Sequence, residues 1–186
     1  MDKNSMKSLV LTLSIIGIVS ALTLTFVYEW TTPYIEANQA ETQRLAISEV
    51  LPGAEEIEEV EKNEKTFFEG YDADGNRVGV AYQDSGGGYN GSIELMVGVN
   101  LDDQEIYRFS VLNHEETPGL GARITEEDFK ANFENKAFGD YEVVKTSPSD
   151  DSEVQSIAGA TISSANTTRI IENAVETITE AYGGGN

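Results

Sequence analysis

The chain has 186 residues and a formal net charge of −21, with 33 acidic residues against 12 basic ones. This length fits one globular domain plus an appendage, and the strong negative charge excludes nucleic acid as a partner because phosphate binding requires a basic surface. The sequence contains no Cys and one His, which excludes disulfides, thiolate-bound zinc, cysteine-bound iron–sulfur clusters and a His-rich metal site.

An uncharged, apolar segment lies between Lys7 and Glu29. About 20 such residues span a bilayer as a helix, so we predict a transmembrane helix over residues 8–29. Basic residues precede this segment and acidic residues follow it, which places residues 1–7 in the cytoplasm and the main domain outside it. A cleaved signal peptide ending at Val19-Ser20-Ala21 is the alternative, although the apolar run continues well past that point.

A second helix is predicted after the membrane segment. Thr32-Pro33 is typical of a helix start, with Thr as the cap and Pro in the first turn, and the helix then runs to Pro52-Gly53. We therefore assign residues 30–55 to a connecting helix between the membrane and the domain. The acidic segment Glu55–Glu64 is predicted to lie on the surface.

The sequence from Thr66 onward changes to a strand pattern. Apolar residues on both sides of Asp74-Gly75 predict a β-hairpin. The segments 93–99 and 106–112 are joined by a short connection and are expected to pair antiparallel. A further strand is predicted at 141–144.

Two helices are predicted near the end of the domain. Thr125 and Asp128 resemble a capping box that opens a short helix carrying Phe129 and Phe133. A long helix over residues 161–182 has an apolar stripe at helical spacing and is expected to pack on the sheet. The domain thus covers residues 56–182, residues 183–186 form a flexible tail, and the fold class is α+β.

The segment Ser156–Ser164, with the sequence SIAGATISS, leads into the long helix. Small residues at a helix start leave backbone N–H groups open at the positive end of the helix dipole, which together make a site for one phosphate. The hydroxyl of Thr161 lies where a phosphate could be bound or esterified. A simple helix cap formed by Ser or Thr is the alternative.

The second notable segment, Asn113–Gly121, follows a predicted strand and contains one Pro and two Gly. Functional sites concentrate on such stiff loops, and glycine lets a flat ligand approach the backbone closely. A connection that needs Pro and Gly only for its geometry is the alternative. The sequence has no G-x-S-x-G elbow, P-loop or dinucleotide fingerprint, so hydrolase and nucleotide-phosphoryl chemistry have no support.

The pairing of Glu116–Gly121 with Gly159–Ser163 resembles the FMN-binding domain family. Within it, the chain is most similar to the G subunits of Rnf-type ion-translocating electron-transport complexes. The C subunits of sodium-pumping NADH:quinone oxidoreductases are similar but usually longer. The resemblance also covers the N-terminal anchor, the hairpin region and Gly88–Gly91 before a strand.

In that family a flavin transferase esterifies FMN through its phosphate to the threonine after Gly-Ala, which here is Thr161. The family pattern usually reads Asp-x-x-Ser-Gly-Ala-Thr, and this chain has Gln155 and Ala158 at the first and fourth positions. The resemblance implies a covalent cofactor, no catalytic residue and no metal ligand. The cofactor contacts that it implies are Gly159, Ala160, Ile162, Ser163, Ser164, Glu116, Thr117, Pro118, Gly119, Leu120, Gly121 and Tyr89.

The resemblance further implies a single-pass membrane protein that relays electrons in a complex coupling ferredoxin and NAD to Na⁺ or H⁺ movement. Its partners would be the other membrane subunits and the flavin transferase. Three alternatives remain: the C subunit of a sodium-pumping quinone reductase, a non-redox membrane-anchored domain, and a stand-alone FMN reductase.

Overall fold

The computed structural model describes residues 3–183. The chain divides into two compact units, Met1–Thr42 and Gln43–Asn186. Of the predicted termini, residues 1–2 and 184–186 lie outside the described residues. We predicted a boundary at residue 55 between the connecting helix and the domain. The boundary between the two compact units lies earlier in the chain, after Thr42.

The first element is one continuous helix, α1 (Lys3–Val50), with Pro33 inside it. The predicted second helix start at Thr32-Pro33 is therefore wrong. The hydroxyls of Thr31 and Thr32 donate to the carbonyls of Val27 and Tyr28 at 2.9 and 2.8 Å, so both threonines bond back into the same helix. By length and composition, the part of the helix from Met6 is a candidate membrane span.

The second unit is built on a six-stranded antiparallel sheet in which each strand pairs with the next along the chain. Its strands are β1 (Glu56–Lys62), β2 (Lys65–Tyr71), β3 (Arg77–Gly87), β4 (Ser92–Asn100), β5 (Glu105–His114) and β6 (Lys136–Ala137). The predicted hairpin and the predicted antiparallel pair are confirmed as β2–β3 and β4–β5. The acidic segment predicted to be surface forms the edge strand β1, where charged side chains discourage pairing with other chains.

A separate two-stranded sheet pairs β7 (Glu142–Val144) with β8 (Glu153–Gln155) in parallel. Strand β7 was expected, whereas β8 is too short to show a periodic pattern. The pairing sets Val144 opposite Gln155, and the N–H of Ser156 donates to the carbonyl of Val144 at 2.8 Å. The chain thus leaves this small sheet directly into the segment that precedes the last helix.

The short helix α2 (Glu127–Lys130) lies between the 3-10 turns Gly121–Thr125 and Ala131–Phe133. The predicted capping box is wrong: Thr125 ends the first 3-10 turn, and its hydroxyl donates to the carbonyl of Ala122 at 2.9 Å. Glu126 precedes α2 without a side-chain cap. The two phenylalanines predicted on this helix are both buried, Phe129 in α2 and Phe133 in the following turn.

The last helix, α3 (Thr161–Tyr182), has the predicted bounds and packs on the sheet. Successive strand residues point to opposite faces, so Phe67 contributes to the core under α3 while Phe68 contributes to a second cluster. That second cluster, on the other face, includes Ala46, Ile47 and Val50 at the end of α1. The sheet is therefore covered by helix on both faces.

The far end of α3 is held by a group of side chains that we call the Glu69 cluster: Lys62, Glu69, Tyr71, Arg77 and Tyr182. The hydroxyls of Tyr71 and Tyr182 donate to the Glu69 carboxylate at 2.5 and 2.7 Å, and Lys62 Nζ lies 3.4 Å from it. Burial by itself raises the pKa of Glu69, but these hydrogen bonds outweigh it and the pKa is lowered. Burial, followed by the hydrogen bond to the negatively charged Glu69, raises the pKa of Tyr182.

Candidate functional site

A cavity of about 850 Å³ lies at the N-terminal end of α3. Small-molecule sites in proteins commonly have volumes of roughly 300–1,000 Å³. Its walls come from the loop after β5, the turns around α2, the ends of β7 and β8, and the first turn of α3. The cavity therefore brings together the two segments that the sequence singled out.

The start of α3 is open toward this cavity. Ala160 precedes the helix and provides no side-chain cap, and Gly159 has a φ of 82°, a left-handed conformation that favours glycine. The first N–H groups of a helix have no carbonyl within the helix to bind. Here the N–H of Ser164 donates to the carbonyl of Ala160 at 3.0 Å. The simple-cap alternative is thus not what the structure shows.

The three hydroxyls at the helix start have different surroundings. Ser164 is fully buried, where its Oγ accepts the Ile157 N–H and donates to the Ala160 carbonyl, both at 3.0 Å. Ser163 is also buried and donates to Glu116. Thr161 is half-buried and lines the cavity, and no hydrogen bond joins its hydroxyl to another group within residues 6–183.

Glu116 is a buried carboxylate, 5% exposed, in the wall of the cavity. Its Oε1 accepts the backbone N–H groups of Tyr89 and Asn90 at 2.5 and 3.3 Å, and its Oε2 accepts the Ser163 hydroxyl at 2.8 Å. A buried carboxylate requires such donors, because leaving it unpaired is costly. Glu116 thereby joins the loop after β3, the loop after β5 and the start of α3.

Two glycines allow this arrangement. A Cβ at Gly121 would overlap Glu116 Oε2 and Ser163 Oγ, and a Cβ at Gly88 would overlap Glu116 Oε1. The backbone approaches the carboxylate more closely at these two positions than any side chain permits. Gly88 and Gly121 therefore make room for the Glu116 carboxylate in this structure.

Most of the residues expected at a cofactor site do line the cavity. Those are Tyr89, Glu116, Thr117, Leu120, Gly121, Gly159, Ala160, Thr161, Ile162 and Ser163. The expected residues Pro118 and Gly119 are exposed and Ser164 is buried beneath the helix start, and none of these three lines the cavity. Tyr89, Leu120 and Ile162 are 68%, 46% and 55% exposed, so they present apolar surface beside the cavity.

The remaining wall residues were not among the expected cofactor contacts, although four of them, 155–158, belong to the segment and family pattern that the sequence analysis singled out. They are Arg123, Glu126, Asp128, Phe129, Asn132, Lys145, Gln155, Ser156, Ile157 and Ala158. Arg123 Nε donates to Glu126 Oε2 at 2.8 Å, so its charge is paired with a carboxylate. Basic residues are scarce in this chain, and that scarcity was the signal that could have drawn attention to Arg123 and Lys145.

The FMN-binding domain family matches residues 88–176, which include both loops and most of α3. The cavity fits this cofactor in two respects. An uncapped helix start and the basic side chain of Lys145 suit a phosphate, and the exposed apolar side chains beside them suit a flat ring.

Two solved structures have a similar fold. NqrC from Shewanella oneidensis is 23% identical, with a TM-score of 0.51, and the match covers 58% of this chain and 54% of that one. The C subunit of the Na⁺-translocating NADH-quinone reductase from Parabacteroides distasonis ATCC 8503 is 26% identical, with a TM-score of 0.55, over 65% of this chain and 64% of that one. The chain thus spans just over half to just under two thirds of these structures.

Two relatives match over nearly their whole length. The G subunit of the ion-translocating oxidoreductase complex of Methanosarcina acetivorans is 32% identical over 190 residues, which cover 98% of this chain and 99% of that protein. The G subunit of the proton-translocating ferredoxin:NAD(+) oxidoreductase complex of Clostridium ljungdahlii is 31% identical over 183 residues, which cover 98% and 97%. The resemblance inferred from the two motifs is confirmed, and the chain belongs to the family of ion-translocating oxidoreductase complex G subunits, with an FMN-binding domain.

Proposed function

We propose that this protein is an electron-relay subunit of a membrane complex that couples electron transfer between ferredoxin and NAD to movement of Na⁺ or H⁺. In this proposal FMN is esterified through its phosphate to Thr161. The observation that carries it is the uncapped start of α3, where the half-buried Thr161 lines a cavity of about 850 Å³. The related subunits are named as parts of such complexes, so other membrane subunits are the expected partners.

The attachment chemistry follows from the helix start. The N–H groups of the first turn and the helix dipole stabilise a phosphate beside the Thr161 hydroxyl. Esterification forms a bond from Thr161 Oγ1 to phosphorus, releases the hydroxyl proton and expels the leaving group of an activated, pyrophosphate-linked flavin nucleotide. Such a donor requires a flavin transferase, which is the maturation partner in this proposal.

The protein itself supplies position. FMN, when bound, accepts and donates electrons, while the protein fixes its place and surroundings. Glu116 holds the walls of the cavity together through Ser163 and the Tyr89 backbone. The apolar side chains of Leu120 and Ile162 offer contact surface for the ring beside the attachment point.

We also propose a single-pass topology with residues 1–7 in the cytoplasm, residues 8–29 in the membrane and residues 56–182 outside the cytoplasm. The candidate membrane span in α1 supports this placement. The orientation rests on Lys3 and Lys7 before the apolar segment and Glu29 and Glu36 after it.

A G-subunit role is favoured over the C subunit of a sodium-pumping quinone reductase. The named G subunits match over nearly their whole length, whereas the solved C-subunit structures match over 54% and 64% of theirs. A non-redox domain and a stand-alone FMN reductase are outcomes that the experiment below separates from electron relay.

The test is mass spectrometry of the denatured full chain after co-expression with a flavin transferase, followed by peptide mapping. We expect an FMN-sized adduct on the peptide that contains Thr161. The adduct should be absent from Thr161→Ala and retained in the control Thr125→Ala, which removes an exposed hydroxyl outside the cavity.

Three results would contradict parts of the proposal. An adduct that persists in Thr161→Ala would show that the attachment site is wrong. An unmodified wild-type chain, with the transferase active on a control substrate, would exclude covalent attachment, and a colourless one would support a non-redox domain. Steady turnover of soluble substrates by the isolated protein would support the reductase.

A further inference from the structure

Lys145 directly follows β7 and lines the cavity. Strand pairing sets Val144 opposite Gln155, and the Ser156 N–H bonds to the Val144 carbonyl at 2.8 Å. These contacts hold the Lys145 backbone beside the segment that leads into Thr161. Its position is therefore fixed by two strands although its side chain is exposed.

The ammonium of Lys145 has no partner in the structure of residues 43–183: no hydrogen bond, ion pair or ring contact involves it. The other basic side chains in that part of the chain are engaged. Arg123 pairs with Glu126 and Lys130 pairs with Glu49, both at 2.8 Å. An unpaired cation beside a cavity is informative in a chain with 33 acidic and 12 basic residues.

The charges around the cavity show what this cation can do. Glu116, Glu126 and Asp128 all line the cavity, so an incoming anion meets acidic side chains. The helix start offers only a partial positive charge of about half a unit, and Arg123 is already paired with Glu126. A full positive charge that remains available for an anion is supplied by Lys145.

We propose that Lys145 binds the phosphate of the flavin in this cavity and acts as a positioning residue for it. The inference rests on the proposed function, since it assumes that a flavin phosphate lies at the start of α3. The ammonium and the N–H groups of the first helical turn would both donate to the phosphate. Charge-assisted hydrogen bonds of this kind are stronger than neutral ones.

The experiment compares two probes, FMN and riboflavin, which differ by the phosphate. Each is titrated by fluorescence quenching into the full chain in detergent, produced without a transferase so that Thr161 is unmodified. We expect Lys145→Gln to weaken FMN binding by about tenfold and to leave riboflavin binding unchanged. Lys145→Arg should restore FMN binding because it keeps the charge.

The matched control is Arg169→Gln, which removes the same charge from an exposed side chain whose contact is Asn166 at 3.1 Å. This variant should bind FMN as the wild type does. A second measurement uses the flavinylated protein: the phosphorus NMR resonance of the phosphodiester should shift in Lys145→Gln and not in Arg169→Gln.

The inference is overturned if Lys145→Gln weakens both probes equally, or if neither FMN affinity nor the phosphorus resonance changes. In that case a flavinylated wild type would leave the proposed function intact. A wild type that binds neither probe and carries no adduct would instead contradict the proposed function, and the role of Lys145 would fall with it.

Discussion

The hydroxyl of Ser163 in the first turn of α3 donates a 2.8 Å hydrogen bond to Glu116, which lies 47 residues earlier in the chain. The same carboxylate accepts the backbone N–H groups of Tyr89 and Asn90. The two sequence motifs are therefore parts of one hydrogen-bonded structure rather than two separate binding elements.

We predict that Glu116→Gln lowers the free energy of unfolding by about 1–3 kcal/mol. The amide keeps the size of the side chain but turns an N–H₂ group toward donors on one side, which breaks at least one hydrogen bond. Denaturant unfolding of the full chain in detergent measures the effect. The control is Glu115→Gln, which changes the exposed neighbouring carboxylate, and equal stability of the two variants would contradict the prediction.

Gly121→Ala should also destabilise the protein, by roughly 1–3 kcal/mol, because the added methyl group overlaps Glu116 Oε2 and Ser163 Oγ. The displaced wall should reduce the fraction of chains that carry flavin. Thermal unfolding and the adduct fraction measure both effects. Gly139→Ala is the control, since a Cβ there meets no heavy atom within 4 Å, and a loss of the same size in it would argue against a specific clash.

The lowered pKa of Glu69 predicts a loss of stability in acid. A carboxyl group whose pKa is lower in the folded than in the unfolded chain stabilises the fold above its ordinary pKa of 4.5, and that contribution disappears as the pH falls through the folded pKa. The free energy of unfolding should therefore decrease as the pH is lowered below about 4.5. Unfolding measured from pH 7 down to pH 3 tests this.

The comparison that isolates Glu69 is Glu69→Gln. This variant should be less stable than the wild type at neutral pH, with a difference that shrinks in acid. Tyr182→Phe removes one of the donors to Glu69 and should give an intermediate curve. If stability falls with pH in parallel for the wild type and Glu69→Gln, other carboxyl groups account for the whole pH dependence of stability. Glu49, whose pKa is also lowered, is one such group.

The double variant Gln155→Asp with Ala158→Ser restores the usual family pattern at two positions that line the cavity. We expect faster flavin attachment, because the added hydroxyl provides another donor to the phosphate. The adduct fraction, followed over time with purified transferase, gives the rate. Ala165→Ser adds a hydroxyl at an exposed position of α3 outside the cavity and should have no effect; an unchanged rate in the double variant would show that neither position limits attachment.

The proposed orientation predicts that a reporter fused after Asn186 lies outside the cytoplasm. Alkaline phosphatase, which requires an oxidising compartment, should be active in that fusion, and a fusion within residues 1–7 should be inactive. Activity of the second fusion alone would reverse the topology.

Regular periodic elements were predictable from the sequence. The bounds of α3 follow from its apolar stripe, and the β2–β3 and β4–β5 pairs follow from alternation around short connections. By contrast, β8 has three residues and β1 is rich in Glu, so neither carries a strand signal. The predicted helix start at Thr32-Pro33 was wrong because a threonine before a proline can also donate to a carbonyl of the helix that precedes it.

The cavity was predictable only in part. Its two motifs have distinctive Gly and Thr patterns, which is why Thr161 and Glu116 could be named. The wall formed by Arg123, Phe129 and Lys145 depends on how the turns around α2 and the end of β7 fold back onto α3. Such contacts are set by tertiary packing and leave no local pattern in the sequence.

Helix α3 is fastened at both ends, by Ser163 to Glu116 at one and by Tyr182 to Glu69 at the other. Its 22 residues extend about 33 Å. A group tethered at Thr161 would therefore start from a point that cannot pivot without breaking one of these attachments. Its reach would be determined by the torsions of its own tether. The rate of electron transfer declines steeply with distance. In a relay built this way, that distance would be set by a fixed attachment point and a short flexible linker rather than by movement of the whole domain.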